Sequence, residues 1–585
     1  RLGGALDEAA LERALGEIVR RHQALRTVFA EAGGSPVQVV APFGVFALPV
    51  EDLSELGEAD HEAAVRRRAG EEARRAFDLA AGPLFRASLL RLGAEDHVLL
   101  LSMHHIVSDG WSMGVLYREL SALYVAYREG RESPLPELGV QYGDYVVWQR
   151  EQVEGEVLDR QLAYWRERLA GAPELLELPT DHPRPAARSF GGGNERLHLP
   201  PEALERLRAL GREEGATLYM VALSAFQALL SRYSGSEDVV VGSPIAGRGR
   251  SEVEGLIGFF VNTLVLRTDL GGDPSFRELL GRVREVTLGA YEHQELPFER
   301  LVAELRPERS LSHAPLFQVA FTLGNARDSG GGLAGLRVQG LGTVARFAKY
   351  DLSMGLVAGS DGLLASLTYS TDLWEAATMQ RFAGHFARLV EQAAAAPDLR
   401  LSRVTLLDEA ERRQVLEAWN DTAADDPRAL FHELFAEQAA RVPNTPAVVY
   451  GDHSLTYAEL DRRSARVAHH LRRRGAGPEV RVGLCLERGV DLLVGVLGVL
   501  RSGAAYVPLD PSHAAGRLAA VLADAGAPLL LTEAGLLERL PAFAGATVCL
   551  DRDAAAIAAE PDVAPAVRVE PESAAYVVYT SGSTG

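Results

Sequence analysis

Lysine is almost absent from this chain of 585 residues: Lys349 is the only one, so nearly all of the positive charge is guanidinium. We read that as a composition bias of the genome rather than as design for one partner. Positive charge is also short overall. Lys+Arg 60 against Asp+Glu 80 gives a net charge of -20 at pH 7, and a field of that sign repels nucleic acid, whose phosphates a binder must neutralise. Cysteine is scarce too. Cys485 and Cys549 belong to no metal-ligand or disulfide pattern, so no metal site is expected, and both read as buried small hydrophobes of a reducing compartment. No apolar run is long enough to span a bilayer, and the residues after Arg1 carry no signal-like segment. Together these absences point to a chain with no nucleic-acid and no membrane partner, expected in the cytoplasm.

A chain of this length exceeds one hydrophobic core, so several domains are expected. The stretch that organises it is Met103-His-His-Ile-Val-Ser-Asp-Gly-Trp-Ser112. Before it, Val98 to Met103 is a nearly unbroken apolar run and predicts a strand buried on both faces. After it, Leu116, Leu120, Leu123 and Tyr127 recur at helical spacing and predict a helix. Two adjacent histidines therefore sit where a buried strand stops, in a segment with no other reason to be polar. In strand geometry their rings point to opposite sides, so one works while the other packs. Asp109 can accept hydrogen bonds within the turn or pair with a distant arginine, and Gly110 allows a sharp turn and an unobstructed amide.

Along the rest of the chain, strand and helix patterns alternate. Helices are predicted over Leu11 to Leu25, Val115 to Arg128, Leu158 to Leu169, Leu218 to Tyr233, Phe276 to Tyr291 and Ala376 to Ala393, with strands at Thr27 to Phe29, Val239 to Val241, Leu264 to Leu266, Val319 to Leu323 and Leu363 to Tyr369. Gly191-Gly-Gly193 reads as a mobile link between two halves and Gly330-Gly-Gly332 as a surface loop. A charged amphipathic helix is expected from Asp408 to Trp419, and Asn420 to Pro427 has the composition of a linker.

His104, His105, Asp109 and Gly110 match the signature of condensation domains of nonribosomal peptide synthetases, shared with chloramphenicol acetyltransferase-like acyltransferases. Other segments resemble the same family in its order: Arg21-His-Gln-Ala-Leu-Arg-Thr27, Tyr142-Gly-Asp-Tyr145 with Trp148, Val241-Gly-Ser-Pro-Ile-Ala-Gly-Arg248, Ile257-Gly-Phe-Phe-Val-Asn-Thr263, and His293-Gln-Glu-Leu-Pro-Phe-Glu-Arg300 with Pro315-Leu-Phe-Gln318. Relative to that family an opening segment before Leu11 is missing, so the first lobe is expected to lack an element. Leu455-Thr-Tyr-Ala-Glu-Leu460, Gly503 to Pro511 and Tyr579-Thr-Ser-Gly-Ser-Thr-Gly585 resemble the early motifs of an adenylation domain. The resemblance implies an α/β fold: a two-lobed, V-shaped, chloramphenicol acetyltransferase-like condensation domain, then a partial α/β adenylate-forming domain. Its expected bounds are 1–175 for the N-terminal lobe, 176–405 for the C-terminal lobe, 406–428 for a linker and 429–585 for the adenylation fragment.

The implied activity is amide formation between a carrier-bound donor thioester and the amine of a carrier-bound acceptor. Such a step needs an amine free of its proton, a carbonyl held nearby and a donor for the tetrahedral oxyanion. A histidine, with an ordinary pKa near 6.5, suits the first task. By resemblance His105 is the catalytic position, as general base or as a positioning acceptor, beside His104, and Gly110 offers its amide to the oxyanion. Asp109 is implied to be structural, with Arg248 the first candidate partner and Arg26 the alternative. Trp111 and Ser112 are expected to shape a channel open at both ends, one for each carrier. No cofactor is expected in the condensation domain itself. Phosphopantetheine belongs to the upstream and downstream carrier domains, and ATP with Mg to a complete adenylation domain of the same synthetase.

Tyr576 to Tyr579 is expected to be the strand leading into a phosphate loop of Thr580, Ser581, Gly582, Ser583, Thr584 and Gly585, which lacks the Gly-Lys-Ser/Thr of a P-loop. The substrate pocket of an adenylation domain would lie past Gly585, so this stretch alone is not expected to adenylate. His104 argues against a heterocyclising relative, in which aspartates replace the pair, and Gly110-Trp-Ser-Met departs from the epimerisation pattern. Ser108 to Ser112 resembles the subtype that takes an L-configured donor, with a dual epimerising and condensing subtype left open. Two rivals remain: a coenzyme A-dependent acyltransferase, which would not precede adenylation motifs, and a non-catalytic recruitment module, which would be expected to lose His105.

Overall fold

The computed structural model describes residues 1–307, 310–325, 333, 335–341, 347–424 and 429–580. Gly330 to Gly332 and Ser581 to Gly585 lie outside the described residues, as do positions 425–428 of the expected linker. The chain divides into two compact units, Arg1–Trp419 and Asn420–Gly585.

In the first unit a five-stranded sheet runs in the order Arg337–Val338, Leu2–Gly3, Asp96–Met103, Phe85–Gly93, Val50–Asp52. Its central antiparallel pair registers Phe85 against Met103 and Gly93 against Asp96. The helix Glu8–Arg21 starts where Asp7 accepts a hydrogen bond from the Ala10 amide, and it buries Leu11, Ala14, Leu15 and Ile18 at helical spacing against the helix Gly110–Arg128. It ends at Arg21 rather than at Leu25, because residues Gln23–Arg26 tighten into a 3₁₀ turn.

The strand before the two histidines departs from expectation. Only His97 and Val98 are buried; Leu99 to Met103 are half-buried. The cause, among the described residues, is an open edge: of this strand, only His97 and Asp96 pair with the short strand Leu2–Gly3. Beyond that point the strand borders a cavity of about 1340 Å³, lined by residues 98–102 together with Val65, Met113, Tyr117, Leu333 and Leu341.

The second sheet has six strands in the order Gly192–Leu199, Gly362–Ser370, Leu352–Gly359, Val319–Asn325, Asp238–Ile245, Asn262–Asp269. Helices Leu218–Ser234, Phe276–Glu292 and Ala376–Ala395 cover it and bring Phe226, Phe321 and Phe386 into one core. Leu352–Gly359, absent from the sequence reading, alternates strictly between buried and half-exposed positions at its start; its serine and two glycines broke the apolar signal. Gly191 to Gly193 do not form a mobile link. Gly192 and Gly193 open a paired strand, and a Cβ on Gly193 would meet the Tyr369 ring at 2.1 Å, so glycine is there for close packing. Nor do the two halves part at residue 175. The helix Gly155–Leu169 packs Leu162, Trp165 and Leu169 into the second core, whereas Leu333 and Leu336 return to the first.

The second unit carries a parallel four-stranded sheet in the order Ala505–Pro508, Arg481–Leu484, Leu529–Thr532, Ala546–Cys549. Cys485 and Cys549 are free and buried, and burial pushes the Cys485 thiol up to about 11. The strand expected over Tyr576 to Tyr579 reduces to a single bridge between Tyr506 and Tyr576. Pro508, two residues along the partner strand, has no N–H to extend the ladder. Among the described residues no helix is long and apolar enough to cross a membrane.

Candidate active site

The strand Asp96–Met103 ends, and a single 3₁₀ turn, His105–Val107, re-aims the chain before the helix Gly110–Arg128. That turn separates the two histidines more sharply than strand alternation would. His104 is half-buried: its Nδ1 accepts a hydrogen bond from the Ile106 amide at 3.0 Å, and its ring stands edge-on to Phe77, 5.7 Å between centroids. His105 is exposed, and its one described ring contact is Phe259, 5.3 Å away at 89°. Among the described residues, nothing hydrogen-bonds to its ring nitrogens.

Gly110 is not the sharp turn that was expected. It is the first residue of a 19-residue helix, with no strained φ and nothing within 4 Å of where a Cβ would stand. As a first-turn residue its amide has no partner within the helix, and it points from an exposed position that also lines the large cavity. Trp111 lines the same cavity and donates its indole N–H to the Glu254 carbonyl at 2.9 Å. His104 and His105 do not line it. Ser112 is not in a channel: it is fully buried, with Oγ 2.7 Å from Asp109 Oδ1 and 2.9 Å from the Gly258 carbonyl.

Asp109 caps the helix through the Ser112 amide and faces Arg248 Nη2 at 3.2 Å, with both side chains almost wholly buried. Arg248 also donates to the Val253 and Leu256 carbonyls at 2.6 and 2.8 Å, and its guanidinium lies 3.9 Å over the Phe260 ring. Burial pulls Arg248 below its ordinary pKa, against the opposing pull of Asp109. Arg26 takes no part. It donates to the Ala41 carbonyl at 2.6 Å, in the turn beside the hairpin of Thr27–Ala32 and Ser35–Val40.

The motif segment Ile257 to Phe260 is gripped by side chains from several places. The Ile257 amide donates to His22 Nδ1 at 3.2 Å, the Gly258 amide to Ser112 Oγ at 3.1 Å and the Phe260 amide to Asp109 Oδ2 at 3.0 Å. The Phe259 carbonyl accepts from the Tyr142 hydroxyl at 2.8 Å, and burial pushes that phenol up to about 12, so it stays a donor. Behind His22, its Nε2 lies 3.0 Å from Glu119, which Arg21 also meets at 3.3 Å. Burial pushes the Glu119 carboxyl up, but His22 and Arg21 outweigh it and hold it below its ordinary value. Asn262 then ties the segment onward, donating to the Gln294 and Leu296 carbonyls and accepting from Phe298. The separate motifs thus converge on one place. Phe259, His22 and Tyr142 had no role in the sequence reading beyond their presence in motif segments, and Glu119, in the helix Gly110–Arg128, lay outside every motif.

A family model described as a condensation domain matches residues 1–416, and one described as an AMP-binding enzyme matches residues 435–585. One of the proteins that make up the linear gramicidin synthase of Brevibacillus parabrevis is 48% identical over 588 residues, covering 100% of this chain and 8% of that protein. Phosphinothricin tripeptide synthetase PhsC of Streptomyces viridochromogenes is 42% identical, with 100% and 54% covered. The chain therefore spans less than two thirds of the length of these relatives. The crystal structure of the X-domain from teicoplanin biosynthesis matches with a TM-score of 0.64 at 31% identity, over 69% of this chain and 91% of that one. A four-domain nonribosomal peptide synthetase bound to AMP and glycine shares the fold, with a TM-score of 0.80 at 22% identity over 99% and 44%. The first match spans every segment that meets at the His105 turn, and on that ground the chain belongs to the condensation-domain family, with part of an AMP-binding domain after it.

Proposed function

We propose that the first unit joins two tethered substrates: the amine of an acceptor aminoacyl group attacks the thioester carbonyl of a donor aminoacyl or peptidyl group. The C–N bond forms and the C–S bond breaks. The amine proton leaves through His105, and the departing thiolate is protonated to a thiol. The observation that carries this reading is the exposed His105 ring, its nitrogens free among the described residues, mounted on a turn held by the bonds of the Ile106 amide to His104 and of the Ser112 amide to Asp109.

His104 supports that turn through the Ile106 amide and is a positioning residue. The orphan amide of Gly110, at a helix start, is the donor for the developing oxyanion. Asp109 and Arg248 hold the turn, and Trp111 lines the large cavity beside Gly110. The substrates arrive on phosphopantetheine arms of carrier domains upstream and downstream in a larger synthetase. In a complete adenylation domain, of which Thr580 is the one described residue of the expected phosphate loop, ATP with Mg would activate the acceptor amino acid.

His105→Ala in the complete synthetase, given loaded donor and acceptor carriers, is expected to cut formation of the tethered amide by about 10² to 10⁴-fold. Mass spectrometry of the acceptor carrier reads the product, and undiminished product removes His105 from the reaction.

A further inference from the structure

We propose that His22 is a positioning residue for the condensation step, acting on His105 through the segment Ile257 to Phe260. The inference rests on His105 being the reacting group. His22 lies at the end of the helix Glu8–Arg21, 1% exposed, and contributes nothing to either lobe that an apolar side chain would not, except at its two nitrogens. Those nitrogens are assigned by their partners. Nδ1 receives the Ile257 N–H, so it carries a lone pair, and the single ring proton sits on Nε2, facing Glu119.

Glu119 is fixed in turn by Arg21, which also donates to the Pro136 carbonyl at 2.9 Å. Gln141 donates to the Arg21 carbonyl at 2.9 Å and accepts from the Gln23 amide, at the start of the helix that carries Tyr142. One buried hub therefore sets two of the four grips on the segment: the Ile257 amide directly, and the Phe259 carbonyl by way of Tyr142. The remaining two, on Gly258 and Phe260, come from Ser112 and Asp109, in the His105 turn itself. Phe259 is the residue carried between these pairs, and its ring meets His105 edge to face. Since the exposed imidazole has no described hydrogen bond, that contact is what remains to set its angle. A shift of the segment moves the ring even when every bond of the turn stays intact.

Two conservative variants separate the nitrogens. His22→Asn keeps an acceptor near the place of Nδ1 and gives up Glu119. His22→Gln reaches toward Glu119 and gives up the Ile257 amide. In the complete synthetase with loaded carriers, His22→Gln is expected to lower kcat about 10-fold with KM for the acceptor carrier unchanged, and His22→Asn to stay within about 3-fold. Equal losses in both, or a full rate in His22→Gln, overturn the inference. Phe259→Leu covers the case in which His22→Gln fails to fold: a lowered kcat at unchanged KM is expected, and an unchanged kcat overturns it. His105→Ala run alongside keeps the two readings apart. If that variant retains turnover, the reading of the site falls; if it is inactive while His22→Gln and Phe259→Leu are not, only the present inference falls.

Discussion

The two sheets of the first unit differ in how completely they are covered. In the six-stranded sheet the strand Asp238–Ile245 buries residues 239–243 in succession, whereas in the five-stranded sheet the strand Asp96–Met103 leaves residues 99–103 half-buried along an open edge. The His105 turn grows from the looser sheet, and its anchor, Arg248, follows directly from the tighter one. The difference teaches that the precision of the site is not inherited from the strand it terminates. It comes from buried polar contacts that bind the turn to a better-packed half.

If so, breaking the anchor costs as much as emptying the better-packed core. Asp109→Ala leaves the Arg248 guanidinium buried without its counter-charge and orphans the Phe260 amide, with an expected loss of about 3 to 5 kcal/mol. Urea unfolding of the first unit measures it, and an unaltered midpoint in an inactive variant would assign Asp109 to chemistry instead. Next come the two sheets themselves. Phe321→Ala, in the core of the second, is expected to cost about 3 to 5 kcal/mol, and Leu101→Ala, on the half-buried strand, about 1 kcal/mol. Equal costs would erase the contrast drawn between the sheets. The smallest effect is a pH dependence at the hub. Glu119 is held below its ordinary value when folded, so it stabilises the fold above the unfolded glutamate pKa of about 4.3, and that contribution is lost as pH falls through the lower folded value. Glu119→Gln should flatten this part of the acid limb, read as the urea midpoint from roughly pH 6 down to roughly pH 3, a window that brackets the unfolded pKa; an identical slope in both proteins would show that the hub is not a charged one.

Much of the fold could be read from periodicity. The helix Phe276–Glu292 stood out because its apolar residues recur on one face, Leu218–Ser234 because it is a long, mostly apolar run, buried without a break from Met220 to Leu230, and the strand Val319–Asn325 because it is a short apolar run. Leu352–Gly359 escaped because Ser353 and Gly355 interrupt its pattern, and Gly192 and Gly193 misled because glycine that serves close packing looks the same in sequence as glycine that serves mobility. At the site, the pairing of Asp109 with Arg248 was among the expected ones, and Arg26 was excluded only when its carbonyl partner was seen. Ser112 was misassigned because a serine that lines a channel and one that bridges a buried aspartate and a carbonyl have the same neighbours in the chain.

The sequence by itself determined the local turn: an apolar run, two histidines, an aspartate able to cap and a helix to follow, all within reach of one another along the backbone. Tertiary structure alone decided which histidine faces solvent, which arginine meets Asp109, and that His22, Ser112, Asp109 and Tyr142 grip one segment. Those contacts join residues more than a hundred positions apart. Spacing in the chain carries no record of them, because a hydrogen bond depends on distance and direction in space, and only packing of the two cores sets both.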